Sequence, residues 1–571
     1  MMIEMNHCSE IYEARFSAVK RLIVACCMIF SHSETLIAEV PSFTQQAFAL
    51  PASAESLVIA DLNGDNLNDL VTLIDSRLRV YFQRESGFDF ESGFKEISFE
   101  SRAVGWDLNR GFGTENQVSV IALLDGKRAV HFPINDESIL PPQTIASELP
   151  GFISRGINRL HFARDINADG MTDLVIPGAG EIHLLINEGG GNFEAPLSIL
   201  SETRLRTQLN INRFNRSAGQ AVRIPNLTLR DVNADSREDL VVRTEEKLEV
   251  FLAGRTPGRY FPLTPDFLLD IAAIEENLGQ FDIDNLDFSN LTGVLALTHE
   301  EILEDIDGDG IDDLLLREGG KVSIFTGQAD GVNTAQARQI LRSGGNVLST
   351  FLYDENGDGL KDLWLWRVES ISVGDIFVWL ALSGSIAIEA FIYPNNGERF
   401  DRRPARKVTV DLKFPSVLRL ANAYQTLNNE AETLQADGVT RTASARLDSP
   451  DEDNDLLVLM NDQIRILLNS IEPAREDSFL GALNYSRNRD NYEIDIRDII
   501  NSASSSGNPY RDLIDSREAT DEIALSQKVV DGDLIAARLN DDERDDIIVF
   551  THFDASQIQG LLLISQQTKS Q

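Results

Sequence analysis

The sequence is poor in cysteine, and the few cysteines lie at one end of the chain. All three of them, Cys8, Cys26 and Cys27, belong to an N-terminal segment of this 571-residue protein. A chain that begins at Glu39 would contain none, so its fold would have no disulfides and no thiolate chemistry. Such a protein depends on its hydrophobic core, or on metal ions, for stability.

Positive charge is also scarce. Lys and Arg together number 51 against 91 Asp and Glu, which gives a formal net charge of −40. A surface of this kind repels phosphate backbones and anionic lipids, so we expect neither a nucleic acid nor an anionic membrane surface as partner. Divalent cations are the natural partners of carboxylates wherever these cluster.

The N-terminus has the features of a secretory signal. Arg15, Lys20 and Arg21 precede the apolar run Leu22 to Phe30, which is shorter than the ~20 residues needed to span a bilayer. We interpret residues 1–38 as a signal peptide. An uncleaved anchor or a misassigned start is the alternative. The interpretation predicts a secreted, periplasmic or cell-surface location.

A second apolar stretch runs from Ile376 to Tyr393. Ser383, Gly384 and Ser385 divide it, and Glu389 would be costly inside hydrocarbon. We therefore predict a short helix or strand followed by a strand, and no membrane span in the mature chain.

One phrase recurs along the chain, with side-chain oxygens at positions 1, 3, 5 and 9 and a Leu after position 9. Five strong copies are present, and internal repeats of this kind indicate a repeat architecture. We number these copies loop one to loop five. Positions 1, 3, 5, 7 and 9 are Asp61, Asn63, Asp65, Leu67 and Asp69 in loop one, Asp165, Asn167, Asp169, Met171 and Asp173 in loop two, Asp231, Asn233, Asp235, Arg237 and Asp239 in loop three, Asp305, Asp307, Asp309, Ile311 and Asp313 in loop four, and Asp354, Asn356, Asp358, Leu360 and Asp362 in loop five.

Each loop lies between strand signals. In the first unit Leu57 to Ala60 precedes the loop, and a hairpin of Val71 to Ile74 and Leu78 to Phe82 follows it. Three weaker units, near residues 107, 448 and 540, keep the strands and lose part of the loop. We therefore predict an all-β fold, a β-propeller over residues 39–571 with about eight blades and seven as the alternative. Insertions are expected near 257–300, 416–437 and 470–530; the first two contain helical patterns, and the third is polar with a flexible loop at Ser502 to Gly507.

The spacing within the five loops favours calcium. Alternate oxygens can converge on one ion if the loop curls tightly, and Gly or a small residue at position 4 with Gly at position 6 permits that curl. A backbone carbonyl at position 7 and a carboxylate at position 9 complete a hard oxygen shell. The loops contain no Cys or His, which disfavours zinc and copper. We predict about five Ca²⁺ ions, although Asp and Asn are also common simple turn formers.

The weaker loops differ from this pattern. Gly111 replaces the fifth-position oxygen after Asp107, and the acidic residues after Asp448 are one residue out of register. In the last unit Arg538 takes the first position, ahead of Asn540, Asp542 and Asp546. Its guanidinium either pairs with the carboxylates that calcium would bridge or points to solvent.

The loop pattern resembles the FG-GAP or VCBS repeat family, to whose superfamily the integrin α-subunit propellers belong. Asn187 to Pro196, with Phe193, and Asn395 to Phe400 look like that family's Asn-x-Gly-x-Phe stretch. The resemblance implies a calcium-bearing β-propeller. The chain lacks the disulfides, transmembrane helix and leg domains of integrin α-subunits, so integrin-type recognition is not carried over, and a propeller fold by itself does not define a function.

Three functions are compatible with these features. The first is an exported, non-catalytic module that binds a protein or a glycan. The second is a calcium-dependent, lyase-like enzyme that degrades polysaccharides, for which His161 and His183 beside loop two are candidate residues. The third is an accessory docking subunit of a surface complex. No nucleophile elbow, zinc-protease motif or phosphate loop is present, so whether the chain is an enzyme stays open, with the non-catalytic function favoured.

Two further expectations concern packing. Trp364 and Trp366 alternate along one strand and so share a face, where we expect packing between blades, with sugar stacking as the alternative. Residues 43–49 precede the first loop with nothing upstream to pair with. We predict that they supply the missing outer strand of the last unit and so close the ring.

Overall fold

The computed structural model describes residues 41–566 apart from internal gaps. The gaps are 111–117, 152–156, 179, 190–191, 211–214, 224, 280–281, 283–286, 345, 417–418, 420–440, 449–453, 461, 472–479, 481–484, 497–509, 530–531 and 553–556. The predicted signal peptide and almost all of the predicted 416–437 helix lie outside the described residues.

Eight sheets of four or five strands follow one another along the described part of the chain, and we number them in chain order. Sheet 1 contains Ala54–Ala60, Asp69–Ile74, Arg77–Tyr81 and Phe94–Ile97, and sheet 2 contains Ala103–Arg110, Val118–Leu124, Arg128–Phe132, Gln143–Ala146 and Asn158–Arg159. Sheet 3 contains Ala163–Arg164, Asp173–Pro177, Glu181–Leu185 and Leu197–Leu200, and sheet 4 contains Asn226–Arg230, Asp239–Arg243, Lys247–Phe251 and Phe267–Asp270. Sheet 5 contains His299–Glu304, Asp313–Glu318, Lys321–Phe325 and Gln339–Arg342, and sheet 6 contains Val347–Tyr353, Asp362–Val368, Gly384–Tyr393, Arg406–Phe414 and Asn491–Asp495. Sheet 7 contains Arg441–Ala445, Asn454–Leu459, Gln463–Ile471 and Asp521–Ala524, and sheet 8 contains Asp533–Ala537, Asp546–His552, Gln557–Ser565 and Phe43–Pro51.

Five two-stranded hairpins and four helices accompany these sheets in the described part of the chain. Two-stranded hairpins pair Gln83–Arg84 with Gly87–Phe88, Ile134–Asn135 with Ser138–Ile139, Asn187–Gly189 with Asn192–Phe193, Glu202–Asn210 with Asn215–Arg223, and Gly327–Gln328 with Gly331–Val332. The described helices are α1 (Ile271–Leu278), the 3₁₀ helix Leu291–Leu297, α2 (Val373–Ala381) and α3 (Arg511–Ser516). The prediction of an all-β, propeller-like fold is confirmed, and the number of blades stays a prediction.

Two expectations about local structure are resolved in the insertions. The apolar piece from Phe267 to Leu278 is only partly a helix, because its first four residues form the outer strand of sheet 4. Asp270 then caps α1 by accepting a hydrogen bond from the backbone N–H of Ala273 at 2.9 Å. The stretch from Ile376 to Tyr393 is α2 followed by a strand, as predicted. No helix among the described residues combines the length and apolar character that a bilayer crossing requires.

Neighbouring sheets share hydrophobic cores. Val71 of sheet 1 and Trp106 of sheet 2 belong to one buried cluster, and similar clusters join sheets 2 to 6 in order, as well as sheets 7 and 8. The strand Asn491–Asp495, which follows the third strand of sheet 7, pairs in parallel with the outer strand of sheet 6. Burial of both faces of these sheets explains why the strands are almost continuously apolar.

The last sheet meets the first. Residues Phe43–Pro51 pair antiparallel with Gln557–Ser565, which confirms that the N-terminal segment completes the last sheet. Leu562 of this sheet shares a buried cluster with Leu70 and Tyr81 of sheet 1. Strands from the two ends of the described chain therefore belong to one sheet.

Candidate functional site

The five predicted loops connect the first and second strands of sheets 1, 3, 4, 5 and 6, and therefore lie at corresponding ends of these sheets. Their backbone follows one pattern, because positions 4 and 6 of each loop have positive φ. At position 4, φ is 81° at Gly64, 56° at Ala168, 60° at Ala234, 80° at Gly308 and 78° at Gly357, and at position 6 it is 66° at Asn66, 82° at Gly170, 66° at Ser236, 87° at Gly310 and 89° at Gly359. The expected curl is present in all five loops, including loops one and three, where position 6 is Asn66 and Ser236 instead of Gly.

Backbone amides fold each loop around its first carboxylate. The position-1 Asp accepts a hydrogen bond from the N–H of position 6, for example Asp305 from Gly310 at 2.9 Å. The position-5 Asp accepts from the N–H of position 7, for example Asp309 from Ile311 at 2.8 Å. The same pairs in the other loops are Asp61 with Asn66, Asp165 with Gly170, Asp231 with Ser236 and Asp354 with Gly359, and Asp65 with Leu67, Asp169 with Met171, Asp235 with Arg237 and Asp358 with Leu360.

The ninth position differs from the others because its side chain is buried. In loop one the carboxylate of Asp69 accepts from the N–H of Leu62 at 3.0 Å and from that of Gln83 at 2.9 Å. Asp173, Asp239 and Asp362 make the corresponding pairs of bonds in their loops. The ninth-position aspartate therefore links the loop to the end of the third strand through hydrogen bonds, a role that the spacing did not predict.

Burial raises the pKa of these ninth-position carboxyls. The pKa of Asp69 rises to about 7, through burial first and then through the nearby carboxylates of Asp65 and Asp61. Burial also raises the pKa of Asp173 to about 6. A divalent cation beside these groups would favour their ionised form.

Loop four brings three carboxylates close together. One oxygen each from Asp305, Asp307 and Asp309 lies within 4.8 Å of the others, which is compatible with a shared metal ion. Positions 3 of the other four loops are Asn63, Asn167, Asn233 and Asn356, and each donates from its amide to the position-5 Asp.

Loop four also contains a cation that the sequence analysis missed. Arg338, just before the outer strand of sheet 5, contacts Asp307 through Nη1 and donates from Nη2 to Asp313 at 3.1 Å. In loop three the side chain of Arg237 pairs with Asp235 at 2.9 Å. In loop five Arg487 donates to the backbone carbonyl of Asp354 at 3.0 Å. The loops are therefore unequal in charge, because an arginine lies beside the carboxylates of loops three, four and five.

Two of the three weak units keep the ninth-position role, at Asp455 and at Asp546, which accepts from the N–H of Leu539 and of Ser565 at 2.6 Å each. Asp455 accepts from the N–H of Leu447 at 2.7 Å and from that of Asn469 at 2.8 Å. Asp448 accepts from the Asn469 amide, whereas Asp451 and Asp453 lie outside the described residues. The prediction that Asp107 starts a loop is wrong. This residue is buried within a strand and accepts from the N–H of Ala163 at 3.1 Å.

In the last unit the structure favours the solvent-facing alternative for Arg538 over pairing with the loop carboxylates. The Nε of Arg538 lies 3.8 Å from Asp545, and about half of its side chain is exposed. The hydroxyl oxygen of Ser565 instead lies within hydrogen-bond distance of both carboxylates, 2.6 Å from Asp542 and 2.8 Å from Asp546, and its single proton is donated to one of them at a time. A neutral donor from the strand Gln557–Ser565 thus reaches two of the carboxylates that a metal would bridge.

The candidate histidines and tryptophans have ordinary environments. His183 is buried in sheet 3, where burial lowers its pKa, and it contacts the Ser198 hydroxyl at 2.9 Å. His161 lies outside the strands with φ of 48°, so its predicted strand context is wrong. Trp364 and Trp366 are buried and Phe351 stacks on both of them, so they pack in a core as predicted. Their cluster consists of residues of sheet 6 and of the segment around Leu480 to Tyr492, so the packing is not between sheets.

The donor set of the loops fits a hard divalent cation. Its side-chain donors are all oxygens, the loops are already curled, and their carboxylates are concentrated at one end of each sheet. Positions 1, 3, 5 and 9 would supply side-chain oxygens to Ca²⁺, and position 7 would supply a backbone carbonyl.

The sheets and loops define an all-β, propeller-like repeat protein. Residues 305–365, which contain loops four and five, match the model of the FG-GAP-like repeat, so the chain contains at least one repeat of this kind. The two Asn-x-Gly-x-Phe stretches form a hairpin at Asn187–Gly189 and Asn192–Phe193 and an isolated bridge between Asn395 and Phe400.

Comparison with curated proteins gives no match. Similar solved structures include an Agrocybe aegerita lectin that recognises non-reducing terminal N-acetylglucosamine, with 15% identity, coverage of 64% of this chain and 80% of the lectin, and a TM-score of 0.25. Saccharomyces cerevisiae Sqt1 has 10% identity, coverage of 92% and 99%, and a TM-score of 0.27. BBS1N, solved in complex with ARL6DN, has 7% identity, coverage of 93% and 98%, and a TM-score of 0.22.

Proposed function

We propose that this protein is an exported, calcium-binding, non-catalytic interaction module whose ions stabilise the loops and whose surface binds a partner protein or glycan. The observation that supports it is the repetition of one loop geometry in five sheets. Each loop has two left-handed residues at fixed positions and a first-position carboxylate wrapped by backbone N–H groups.

Calcium has a clear physical role in this proposal. Each loop concentrates carboxylates, and in loop four three of them lie within 4.8 Å of one another. Carboxylates at such a short distance repel each other strongly in the absence of a cation. An ion that binds the folded loop stabilises the protein by mass action, by ~2.7 kcal/mol at a hundredfold excess over Kd.

A direct binding measurement tests the metal part of the proposal. The protein is stripped with a chelator and titrated with Ca²⁺ and with Mg²⁺ by calorimetry, and bound ions are counted after dialysis. We expect Ca²⁺ to bind at several sites and Mg²⁺ to bind more weakly, because Mg²⁺ demands near-ideal octahedral geometry. Absence of calcium binding would remove the metal from the proposal.

The alternatives differ in what they require from the surface. A lyase-like enzyme needs a base and cationic groups around a cleft, whereas an accessory subunit needs an exposed apolar patch. The described residues include such a patch on α2, where Phe377 is 68% exposed and Leu382, which caps the helix, is 63% exposed. Three of the four tryptophans, Trp106, Trp364 and Trp366, are buried and do not offer a sugar platform. A protein partner is therefore favoured over a glycan.

A further inference from the structure

Helix α2 exposes an unusual amount of apolar surface. Ile376, Phe377, Val378, Leu380 and Leu382 are between 37% and 68% exposed, and we call these five residues the α2 patch. Contiguous exposed apolar surface on a soluble protein marks an interaction site. The neighbouring Phe288 is also 64% exposed, and its carbonyl accepts from the N–H of Val373 at 2.9 Å.

The helix that carries the patch is well defined at both ends. Ser372 and Asp375 form a capping box, in which each side chain accepts from the other residue's backbone N–H. The N–H of Leu382 donates to the carbonyl of Val378 at 2.9 Å at the other end. The exposed side chains are therefore presented by an ordered element.

A cavity of about 620 Å³ lies beside the helix. Its lining includes Glu369, Asp375, Trp379, Lys413, Phe414 and Asp495. Lys413 is paired with Glu493 at 2.5 Å, so the carboxylates of the lining outweigh its cationic group. The volume is within the range of natural ligand pockets, and it is large enough for a Lys or Arg side chain.

Aromatic side chains form one wall of this cavity. The rings of Trp379 and Phe414 meet edge to face with centroids 5.1 Å apart. Gly384 permits this contact, since a Cβ there would lie 2.5 Å from Trp379 Cδ1 and 2.7 Å from Phe414 Cζ. An aromatic wall beside carboxylates favours a cation, because ring faces attract positive charge.

The patch and the loops are at opposite ends of sheet 6. Loop five joins the first and second strands, whereas α2 joins the second and third. Successive antiparallel strands turn at alternate ends of a sheet. A partner on α2 therefore leaves the calcium loop of the same sheet accessible.

We infer that the α2 patch is the docking surface for an amphipathic segment of a partner protein, whose apolar face covers α2 and whose Lys or Arg enters the cavity. This rests on the proposed function as an interaction module. Charge complementarity identifies the partner, because the cavity and the whole chain, at −40, are acidic. The same charge opposes pairing of α2 with α2 of a second copy.

Tryptophan fluorescence provides a specific measurement. The chain has four tryptophans, of which Trp106, Trp364 and Trp366 are at most 3% exposed, whereas Trp379 is only partly buried. Quenching by acrylamide therefore reports mainly on Trp379, and Trp379→Phe verifies this. The probes are a helical Lys-Leu-Ala peptide, its Glu-Leu-Ala counterpart with the same apolar face, and phosphatidylcholine vesicles.

We expect the Lys peptide to bind and to protect Trp379, and the Glu peptide to bind at least about tenfold more weakly. Leu382→Asp should weaken binding of the Lys peptide by about tenfold or more, because a buried leucine contact is lost. The matched control is Leu200→Asp, at a leucine of sheet 3 that is 66% exposed, and it should bind like the wild type. Glu369→Gln with Asp495→Asn should bring the affinities of the two peptides together.

Several results would overturn the inference. These are equal binding of both peptides, an unaffected Leu382→Asp variant, protection of Trp379 by the vesicles alone, or self-association through α2 in sedimentation velocity. Calcium titration of the same samples separates this inference from the proposed function. Retained calcium binding without binding of the Lys peptide would reject the docking surface alone.

Discussion

Arg338 donates a hydrogen bond from Nη2 to the buried carboxylate of Asp313 at 3.1 Å, while its Nη1 contacts Asp307. Positions 3 and 9 of loop four thus have a counter-ion supplied by the chain. Calcium and this guanidinium would compete for the same carboxylates, because both neutralise them.

We predict that Arg338→Gln raises the calcium affinity of loop four by about tenfold, which corresponds to ~1.4 kcal/mol, the scale of a charge-assisted hydrogen bond. In chelator the variant should be less stable than the wild type by about 1 to 3 kcal/mol, because Asp313 is buried and loses its counter-ion. Calorimetric titration and urea unfolding measure the two effects. Arg342→Gln, at an exposed position of the strand that follows Arg338, is the control. Unchanged affinity in Arg338→Gln would show that the guanidinium does not compete.

Removal of calcium should lower the melting temperature of the purified protein, since ions that bind only the folded loops stabilise it. Asp309→Ala should then bind one ion fewer than the wild type and leave the other sites intact. Asp401→Ala removes the same charge from an exposed position outside the loops and should bind the full number. A melt that is unchanged after exhaustive chelation would contradict structural calcium.

Calcium binding should depend on pH between about 5 and 8. The pKa values of Asp69 and Asp173 are about 7 and about 6 in the folded protein, above the 3.8 of free aspartate. The chelated folded protein therefore binds more protons than the unfolded chain, and these groups lower its stability as the pH rises from about 4 to about 7.

Calcium needs the ionised carboxylates, so its affinity should rise with pH over the upper part of this window. The difference in melting temperature between calcium-loaded and chelated protein is expected to widen from pH 5 to pH 8. Binding near pH 6.5 should release protons, which calorimetry in two buffers of different ionisation enthalpy detects. No proton release would mean that the two aspartates are already ionised or do not bind the ion.

Arg538→Asp tests whether the last loop lacks only its first carboxylate. Its backbone matches the five strong loops at position 6, where Glu543 has φ of 63°, and Asp542 accepts from the N–H of Arg544 at 3.1 Å, whereas Asp541 at position 4 lacks their positive φ. We expect one additional calcium ion in the variant. The Ser565 hydroxyl contacts the carboxylates of Asp542 and Asp546, which the ion would need. The double variant Arg538→Asp with Ser565→Ala should therefore bind calcium more tightly than Arg538→Asp alone.

The control for this experiment is Arg544→Asp, which makes the same charge change in the same loop without restoring position 1. It should bind no additional ion. An unchanged count in Arg538→Asp as well would show that the loop backbone, and not the missing carboxylate, prevents binding.

The N-terminal strand should be a major determinant of stability. Phe48 is buried, with its ring 5.4 Å from that of Phe90. Phe48→Ala is expected to lower the free energy of unfolding by about 3 to 5 kcal/mol, the usual cost of a large cavity. Ala47→Ser, at an exposed position of the same strand, should have little effect. Urea unfolding of both variants measures the difference, and an equal stability of the two would contradict the proposed role of this strand.

Local patterns in the sequence were sufficient to predict the repeat, the strand-loop-strand order and the curl of each loop. The reason is that these features depend on residues within one unit, such as Gly308 and Gly310 between the aspartates of loop four. The pairing of Phe43–Pro51 with the last sheet was also predictable, because an unpaired strand remained at each end.

Tertiary structure alone decided which groups reach the loops from elsewhere. Arg338 lies 25 residues after Asp313, and Ser565 lies 23 residues after Asp542, so no local spacing connects them. Likewise, the apolar run at Ile376 looks like core in the sequence, and only the packing of sheet 6 leaves α2 on the outside. Contacts between distant segments depend on how whole sheets assemble, and a pattern within one unit contains no information about that assembly.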